Sequence, residues 1–388
     1  MDFELGDKSE AFRAEARAFL DEALTPELVE RLYRSGVAHD DDFTRQLRER
    51  GWLAPGWPTE WGGQGRDGLE LLALGEEFQK AGAPHNGIGT TMMVARLIRE
   101  VGTPEQQAEI LPRALRGEIV IVLGFSEPEA GSDVAAAQTR AVRDGDEWVI
   151  NGQKMFTTNG HIGDYVFLLT RTNPDVAKHK GLTTFLVPLK QPGIEAQAVF
   201  TLSGERTNIM FYTDVRVPDA WRIGEVDEGW KVMTYSLQDE HSAGFAGDSE
   251  RLLEHAESWA SGSVDADGSR RIDDPDVRSR LARAATEIEV ARLLQRRAAW
   301  MAHEGLVPVG EGPMSKLFSS ESYERQAEDF ASMLGPDGLR SYLEPTAPEG
   351  GRIEHELRFS LGTTIYAGTS EIQRLIIAHR GLGLPRAR

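Results

Sequence analysis

The sequence lacks cysteine altogether. This absence excludes disulfide bonds, thiolate metal sites and a thiol nucleophile. Long apolar runs are missing as well: nowhere do about eighteen apolar residues follow one another, so no transmembrane helix is predicted. Residues 1–5 are acidic and lack the basic and apolar regions of a signal peptide. We therefore expect a cytoplasmic protein without a membrane span.

Basic residues are also in deficit. The chain has 43 Lys and Arg against 62 Asp and Glu, which gives a net charge of −19. A surface of this sign repels phosphate backbones and anionic lipids, so nucleic acid is not an expected partner. The remaining composition, 40% hydrophobic and 27% charged, is typical of a globular protein, and 388 residues suffice for two or three domains.

The hydrophobic period changes twice along the chain. Residues 1–117 place apolar side chains at helical spacing, as Phe12 and Ala16 illustrate. Residues 118–227 contain short β-branched and aromatic runs, and residues 228–388 return to helical spacing. These three segments are the predicted domains: helical, β and helical.

Turn signals divide the β segment. Asp144-Gly145 and Asn151-Gly152 are typical of hairpin turns. The apolar runs between the turns predict strands at 119–123, 147–150, 165–170, 182–189, 194–201 and 209–217.

A polar loop and a second, later stretch of this segment are candidates for ligand binding. Residues 124–133 read Gly-Phe-Ser-Glu-Pro-Glu-Ala-Gly-Ser-Asp directly after an apolar run. Such a loop offers N–H groups and hydroxyls to a ligand. Residues 148–160 contain an aromatic beside two threonines. One such loop alone is usually a connector, but two in this order, together with a third near the C-terminus, are specific.

The third block, residues 368–374, reads Gly-Thr-Ser-Glu-Ile-Gln-Arg. Ser370 and Gln373 have the spacing of a capping box, and the N-terminus of the helix that follows can face an anion. Together the three blocks resemble the acyl-CoA dehydrogenase family, and the resemblance covers essentially the whole chain. It implies an α+β multidomain fold with an N-terminal helical domain, a flavin-binding, β-barrel-like middle domain and a C-terminal four-helix bundle.

The resemblance implies FAD-dependent dehydrogenation of an acyl-CoA thioester to the 2-enoyl-CoA. A base removes the α proton while N5 of FAD takes a hydride from the β carbon. Eight positions match cofactor contacts of the family: Phe125, Ser126, Gly131, Ser132, Phe156, Thr158, Thr369 and Glu371. Of these, Gly131 and Ser132 close the first loop on the ligand, and Thr369 and Glu371 meet the adenosine-diphosphate half.

The other four positions belong to the flavin ring. Phe125 and Ser126 supply donors to its pyrimidine side, Phe156 lies against the rings, and Thr158 places a hydroxyl near N5. Taken singly, Phe156 is better explained by core packing, and Ser126 and Thr158 by turn or cap hydrogen bonds. The set as a whole favours the flavin.

The catalytic base departs from the commonest family pattern. Many relatives carry a Glu where this chain has Ala367, and alanine cannot accept a proton. The isovaleryl and long-chain enzymes instead place a Glu on the first helix of the C-terminal bundle, and Glu240 occupies that position. His241 replaces the arginine that usually follows. Its imidazole could change the pKa of the base or mark an unusual substrate, but we expect it to fill a packing position.

Helical spacing supports Glu240. Met233, Leu237, Glu240 and Gly244 would share one helix face, whereas Asp239 would point about 100° away. A carboxyl on an apolar face is desolvated, which raises its pKa toward the range of a general base.

Two cofactor elements of the family are altered. Pro336 stands where homotetrameric relatives have the second glycine of a Gly-Gly pair, and it removes an N–H. An Arg-x-x-Phe-Gly segment that reaches a neighbour's FAD has no match in 261–276, although Arg270 or Arg271 could substitute. The losses fit the catalytic subunit of a heterotetramer with a related chain, as in steroid-type enzymes. A homotetramer or homodimer with altered contacts is the open alternative.

Two other functions remain open. An acyl-CoA oxidase of the same fold would differ mainly in oxygen access. A subunit that only completes another chain's FAD site would be free to lose Ser126, Phe156, Thr158 and Glu240, all of which are present. For a dehydrogenase, the expected electron acceptor is an electron-transfer flavoprotein or a similar protein.

Overall fold

The structure, a computed structural model, describes residues 3–240, 244–264, 267–342 and 344–385, without the side chains of 236–240. The helices are Asp7–Ala23 (α1), Pro26–Ser35 (α2), Asp41–Glu49 (α3), Gly68–Ala81 (α4), Asn86–Val101 (α5), Pro104–Leu115 (α6), Gly229–Glu240 (α7), Ala246–Gly262 (α8), Pro275–His303 (α9), Glu311–Met333 (α10), Arg352–Thr363 (α11) and Ser370–Ile376 (α12). The strands are Ile121–Gly124 (β1), Arg140–Asp144 (β2), Glu147–Lys154 (β3), Tyr165–Arg171 (β4), Leu182–Pro188 (β5), Ile194–Phe200 (β6), Arg206–Pro218 (β7) and Arg222–Ile223 (β8). The predicted order of helical, β and helical segments is confirmed. None of the helices described here is long and apolar enough to cross a membrane.

The chain forms two compact units, each assembled from separate segments. The sheet unit comprises Thr25–Arg66 and Pro84–Asp239. The bundle unit comprises Met1–Leu24, Asp67–Ala83 and Glu240–Arg388. The N-terminal helices are therefore divided between the units: α1 and α4 belong to the bundle unit, and α2, α3, α5 and α6 to the sheet unit.

The sheet unit is built on one eight-stranded sheet. Its strand order is β6-β7-β3-β2-β4-β5-β8, and β1 pairs in parallel with β4. Every residue of β4 is buried, and Phe167 belongs to the same core cluster as Leu97 of α5 and Ile110 of α6. Burial on both faces explains why this strand is a continuous apolar run instead of an alternating one.

Two strands were not predicted. In β2 only Ala141 is buried, so the strand offers no apolar run, and β8 has only two residues. The Asp144-Gly145 turn between β2 and β3 is confirmed, because Asp144 pairs with Glu147 across it.

The predicted turn at Asn151-Gly152 is wrong. Both residues lie inside β3, where the register against β7 shifts between Ile150 and Gly152. A Cβ on Gly152 would meet Thr139 at 2.6 Å. The amide of Asn151 bonds Asp214 on β7, donating from Nδ2 at 3.0 Å and accepting its N–H at 2.9 Å. The extra residue of this register shift lies on β7, so the Asn-Gly pair faces a β-bulge of the partner strand, and Gly152 allows a close backbone approach.

The bundle unit has a four-helix core formed by α8, α9, α10 and α11. Leu252, Leu281, Phe330 and Ile353 represent the four helices in one buried cluster. The predicted helix face that included Gly244 is corrected, because α7 ends at Glu240 and Gly244 precedes α8. A Cβ on Gly244 would sit 2.9 Å from Oε1 of Gln295, so this glycine allows a close approach to α9.

A charged network crosses the centre of this bundle. Arg251 on α8 donates to Glu356 on α11 at 3.0 Å and to Asp248 at 2.9 Å. The Tyr323 hydroxyl on α10 donates to the same Glu356 carboxylate. Burial raises the pKa of Asp248 to about 6, since the nearby Arg251 only partly offsets the loss of hydration. The network links three of the core helices through the Glu356 carboxylate, which accepts from both Arg251 and Tyr323.

His255 on α8 gives this unit an expected pH dependence. Burial, assisted by Arg352, lowers the pKa of His255 from 6.5 to about 4. The Glu349 carboxylate, 3.7 Å from Nδ1, does not offset the burial. As the pH falls, the His255 imidazole therefore binds a proton near pH 6.5 in the unfolded chain but only near pH 4 in the folded chain. Stability attributable to His255 is complete above this window and is lost as the pH falls through it.

We expect His255→Gln to flatten the acid limb of the stability curve. With one pKa unit worth about 1.4 kcal/mol, wild type should lose on the order of 3 kcal/mol more than the variant across the window. Urea unfolding at pH 7 and pH 4 checks this. Identical losses for both proteins would contradict the assignment.

Candidate functional site

The two predicted loops are joined at their base by a buried ion pair. Lys154, the last residue of β3, is fully buried, and its Nζ donates to Oε1 of Glu127 at 2.6 Å and to the Phe125 carbonyl at 3.1 Å. The second carboxylate oxygen of Glu127 accepts the N–H of Gln138 at 2.6 Å. The N–H of Thr139 bonds Oε1 at 2.9 Å. The first loop, residues 125–133, is thus tied to the strand that leads into the second loop, residues 155–160.

Both members of this pair stay charged at neutral pH. Burial lowers the pKa of Lys154 to about 8, which is still above neutrality. Burial alone would raise the pKa of Glu127, but the charge and hydrogen bond of Lys154 outweigh it and leave the pKa below its usual value. A fully hydrogen-bonded buried pair of this kind holds a loop in one conformation.

The second loop exposes two side chains and buries the one between them. Phe156 is 60% exposed and has a left-handed backbone with φ 57°. Thr158 is also exposed, whereas Thr157 is fully buried. The N–H of Met155 donates to the Ser126 carbonyl at 2.9 Å, which joins this loop directly to the first. An exposed large aromatic in a rarely populated backbone conformation is typical of a ligand contact.

The first loop presents its predicted residues from the same unit. The ring of Phe125 is half-buried and packs edge-on against Phe167 with centroids 5.6 Å apart. Ser126 is half-buried, and Gly131 and Ser132 are exposed. The structure therefore brings Phe125 and Ser126 together with the second loop within the sheet unit.

The C-terminal block lies in the bundle unit. Ala367 has φ 53° and Gly368 has φ 85°, so the chain turns sharply before α12. Lys316 on α10, fully buried, donates to the Gly368 carbonyl at 2.8 Å, and burial lowers its pKa to about 8. Glu371 is exposed on the first turn of α12.

The predicted capping box at Ser370 is wrong. The N-cap is Thr369, whose hydroxyl accepts the N–H of Ile372 at 3.3 Å. Gln373 instead donates to the Ala367 carbonyl at 2.9 Å. Thr369 has the extended backbone of an N-cap, so Ser370 becomes the first helical residue.

Glu240 is the last residue of α7, and its side chain lies outside the described residues, as does all of His241. Earlier on α7, Met233 is buried among Leu169 and Leu182 of the sheet unit. The backbone position of Glu240 at the end of a partly buried helix is thus described, and its role remains a prediction.

Sequence reasoning missed Glu127, Lys154 and Asn208, the last of which is fully buried beneath the second loop. A signal for Lys154 was present. Trp148 and Ile150 are the inward positions of β3, and Lys154 continues that even-numbered series. A lysine at an inward position requires a buried carboxylate, and Glu127 lies in the other quoted motif.

Family comparison covers nearly the whole chain. Residues 6–118 match the model of the acyl-CoA dehydrogenase N-terminal domain, residues 122–215 the middle domain, and residues 227–382 the C-terminal domain. The acyl-CoA dehydrogenase FadE26 of Mycobacterium tuberculosis is 37% identical, and the match covers 98% of each chain. FadE29 of the same organism is 31% identical over 100% of this chain and 99% of the relative.

Solved structures agree with the sequence relatives. A chain of the ChsE4–ChsE5 complex from Mycobacterium tuberculosis matches with a TM-score of 0.90 and 36% identity, and the match covers 100% of this chain and 100% of the matched chain. The Tcur3481–Tcur3483 steroid ACAD matches with a TM-score of 0.91 and 33% identity, also over both full lengths. The chain therefore belongs to the acyl-CoA dehydrogenase family of flavoprotein oxidoreductases.

Proposed function

We propose that this chain catalyses the FAD-dependent α,β-dehydrogenation of an acyl-CoA thioester to the 2-enoyl-CoA. The observation that carries the proposal is the pair of loops that present Ser126, Phe156 and Thr158 from one rigid base, the buried Glu127–Lys154 pair. Exposure of Phe156 costs the isolated protein hydrophobic free energy, and a flat aromatic cofactor against its ring would recover it.

Each loop residue is proposed to make a different contact with the cofactor. FAD, when bound, supplies the acceptor for the hydride that leaves the β carbon. Phe125 and Ser126 offer an N–H and a hydroxyl where negative charge develops, and Phe156 covers a face of the ring system. Thr158 offers its exposed hydroxyl near the reacting edge. Rigid attachment matters here because donors that need not reorganise stabilise developing charge best.

Glu240 is the proposed base. Its carboxylate would take the α proton, which the thioester carbonyl acidifies, and hold it on an oxygen while the product forms. Ala367, at the alternative position, has no group that accepts a proton.

The nucleotide half of the site is proposed to need a second chain. The Thr369 hydroxyl can still donate its hydrogen while it accepts from Ile372, and Glu371 is exposed beside it. Pro336 lies in the 3₁₀ turn Gly335–Leu339 and has no N–H to give. Arg270 is paired with Asp273 at 2.9 Å and is exposed. A related acyl-CoA dehydrogenase subunit would supply the missing donors, as the two-chain character of the ChsE4–ChsE5 and Tcur3481–Tcur3483 relatives supports.

The same relatives guide the choice of substrate. One of them is named a steroid ACAD, so acyl-CoA thioesters of steroid side chains are the first class to test, followed by straight acyl chains. The proposed electron acceptor is an electron-transfer flavoprotein.

The chain should be purified alone and co-expressed with related acyl-CoA dehydrogenase chains, followed by visible spectroscopy and mass photometry. We expect the visible absorbance of bound flavin only in the mixed assembly. The same assembly should oxidise acyl-CoA with a dye as electron acceptor. Stoichiometric FAD on a homo-oligomer would overturn the second-chain requirement. An assembly that binds FAD but oxidises no acyl-CoA would overturn the activity, and production of hydrogen peroxide with oxygen as the sole acceptor would favour the oxidase.

A further inference from the structure

One buried side chain of the sheet forms a hydrogen bond to the second loop. Asn208, near the start of β7, has no exposed surface. Its backbone carbonyl accepts the N–H of Thr157 at 3.0 Å, and its Nδ2 donates to the Thr157 carbonyl at 3.0 Å. Asn208, which is 51 positions away in sequence, therefore hydrogen-bonds both the backbone N–H and the backbone carbonyl of Thr157.

The amide of Asn208 is itself fixed on both sides. Its Oδ1 accepts from Nη2 of Arg206 at 3.4 Å, which leaves Nδ2 to face acceptors. Nδ2 also lies 3.3 Å from Nδ1 of His161. Burial, assisted by the Arg206 charge, lowers the pKa of His161, so its ring is neutral and Nδ1 can accept. The amide cannot flip without losing these contacts.

The loop is also seated closely on β7. A Cβ on Gly160 would sit 2.8 Å from the sulfur of Met210, two residues after Asn208 on the strand. The Gly160 N–H bonds the Thr157 carbonyl at 3.1 Å, so this oxygen accepts from both Gly160 and Asn208. The left-handed Phe156 lies directly before the residue that is held. Strained backbone persists only where its surroundings over-determine it, and the contacts of Asn208 provide this.

We infer that Asn208 is a positioning residue, which holds Thr157 so that Phe156 and Thr158 keep the geometry the flavin site requires. The inference rests on the proposed function. Asn208 touches neither cofactor nor substrate in this role and acts entirely through the loop.

The test compares Asn208→Asp, which keeps the size but removes the donor, and Asn208→Leu with Asn151→Ala as a matched control. Asn151 also makes two hydrogen bonds between β3 and β7. Its partner Asp214 lies six residues beyond Asn208 on β7, about 20 Å along an extended strand. Variants at both sites therefore remove side-chain hydrogen bonds that involve β7, but only the Asn208 variants remove one to the loop.

We expect both Asn208 variants to lower kcat about 10- to 100-fold, as small misplacements of reacting groups do, and to shift the flavin absorption band and midpoint potential. Asn151→Ala should do neither. In flavin-free protein, deuterium exchange of the Thr157 and Gly160 amides should rise in the Asn208 variants alone.

Asn208 variants with the control's spectrum, potential and kcat would overturn the inference. Failure of the wild-type assembly to bind FAD would instead overturn the proposed function, and the exchange experiment would still decide whether Asn208 holds the loop.

Discussion

Glu240→Gln should lower kcat about 10²- to 10⁴-fold, the usual contribution of a general base. Glutamine keeps the size of the side chain but cannot take a proton. FAD binding should be unchanged, because none of the proposed cofactor contacts involves Glu240. Turnover in the intact assembly with a dye acceptor, and flavin content from the visible spectrum of the same sample, measure the two quantities.

Asp239→Asn is the matched control for this variant. It neutralises the adjacent acid of α7, which a regular helix turns about 100° away from Glu240. We expect less than a threefold change in kcat, on the order of that seen for side chains outside the chemistry. Unchanged turnover in Glu240→Gln would sink the assignment of the base. A loss that is equally large in Asp239→Asn would indicate a general effect on the end of the helix.

Lys154→Met should lower the free energy of unfolding by about 3–5 kcal/mol. The substitution leaves the buried Glu127 carboxylate with the N–H groups of Gln138 and Thr139 and no positive partner. The first loop also loses the bond from Lys154 to the Phe125 carbonyl, so FAD affinity should fall as well. Urea unfolding and FAD titration of the same preparation measure both effects.

Two further variants separate the pair from a simple loss of charge. Lys190→Met removes a lysine that is 79% exposed and bonds Asp164 at 2.9 Å, and it should cost much less stability than Lys154→Met because solvent screens an exposed pair. The double variant Glu127→Gln with Lys154→Met should be more stable than Lys154→Met alone, because no unpaired charge remains buried. A single Lys154→Met variant no less stable than Lys190→Met would show that the pair does not hold the loops.

The local sequence pattern predicted most of the fold because apolar residues are concentrated in the elements that are most buried. The continuous apolar run of β4 and the core helices α9 and α10 are examples. The Asn-Gly pair of β3 misled the prediction, since a dipeptide typical of hairpin turns here lies inside a strand opposite a bulge in β7, and only the partner strand distinguishes the two cases.

The parts of the site that could not be predicted are those that depend on distant partners. β7 begins at Arg206, three residues before the predicted strand, because Thr207 and Asn208 are polar yet buried. The burial of the Asn208 amide is satisfied by contacts with a loop some fifty residues earlier, such as the bond from its Nδ2 to the Thr157 carbonyl. No local pattern contains that information, although the motifs did identify both loops.

The division of the bundle unit into three segments has a consequence for how the protein is made. Arg13 of α1 pairs with Glu76 of α4 at 2.6 Å, and Lys80 of α4 pairs with Glu250 of α8 at 3.0 Å. On the ribosome, α1 and α4 can pair with each other early, but Lys80 of α4 must wait for α8 to be synthesised before it finds Glu250. The sheet unit, complete at Asp239, can fold while the bundle is still being synthesised. A gene fragment that starts at residue 228 would encode the four core helices but not α1 and α4 of the same unit, so the C-terminal segment expressed alone is an incomplete unit.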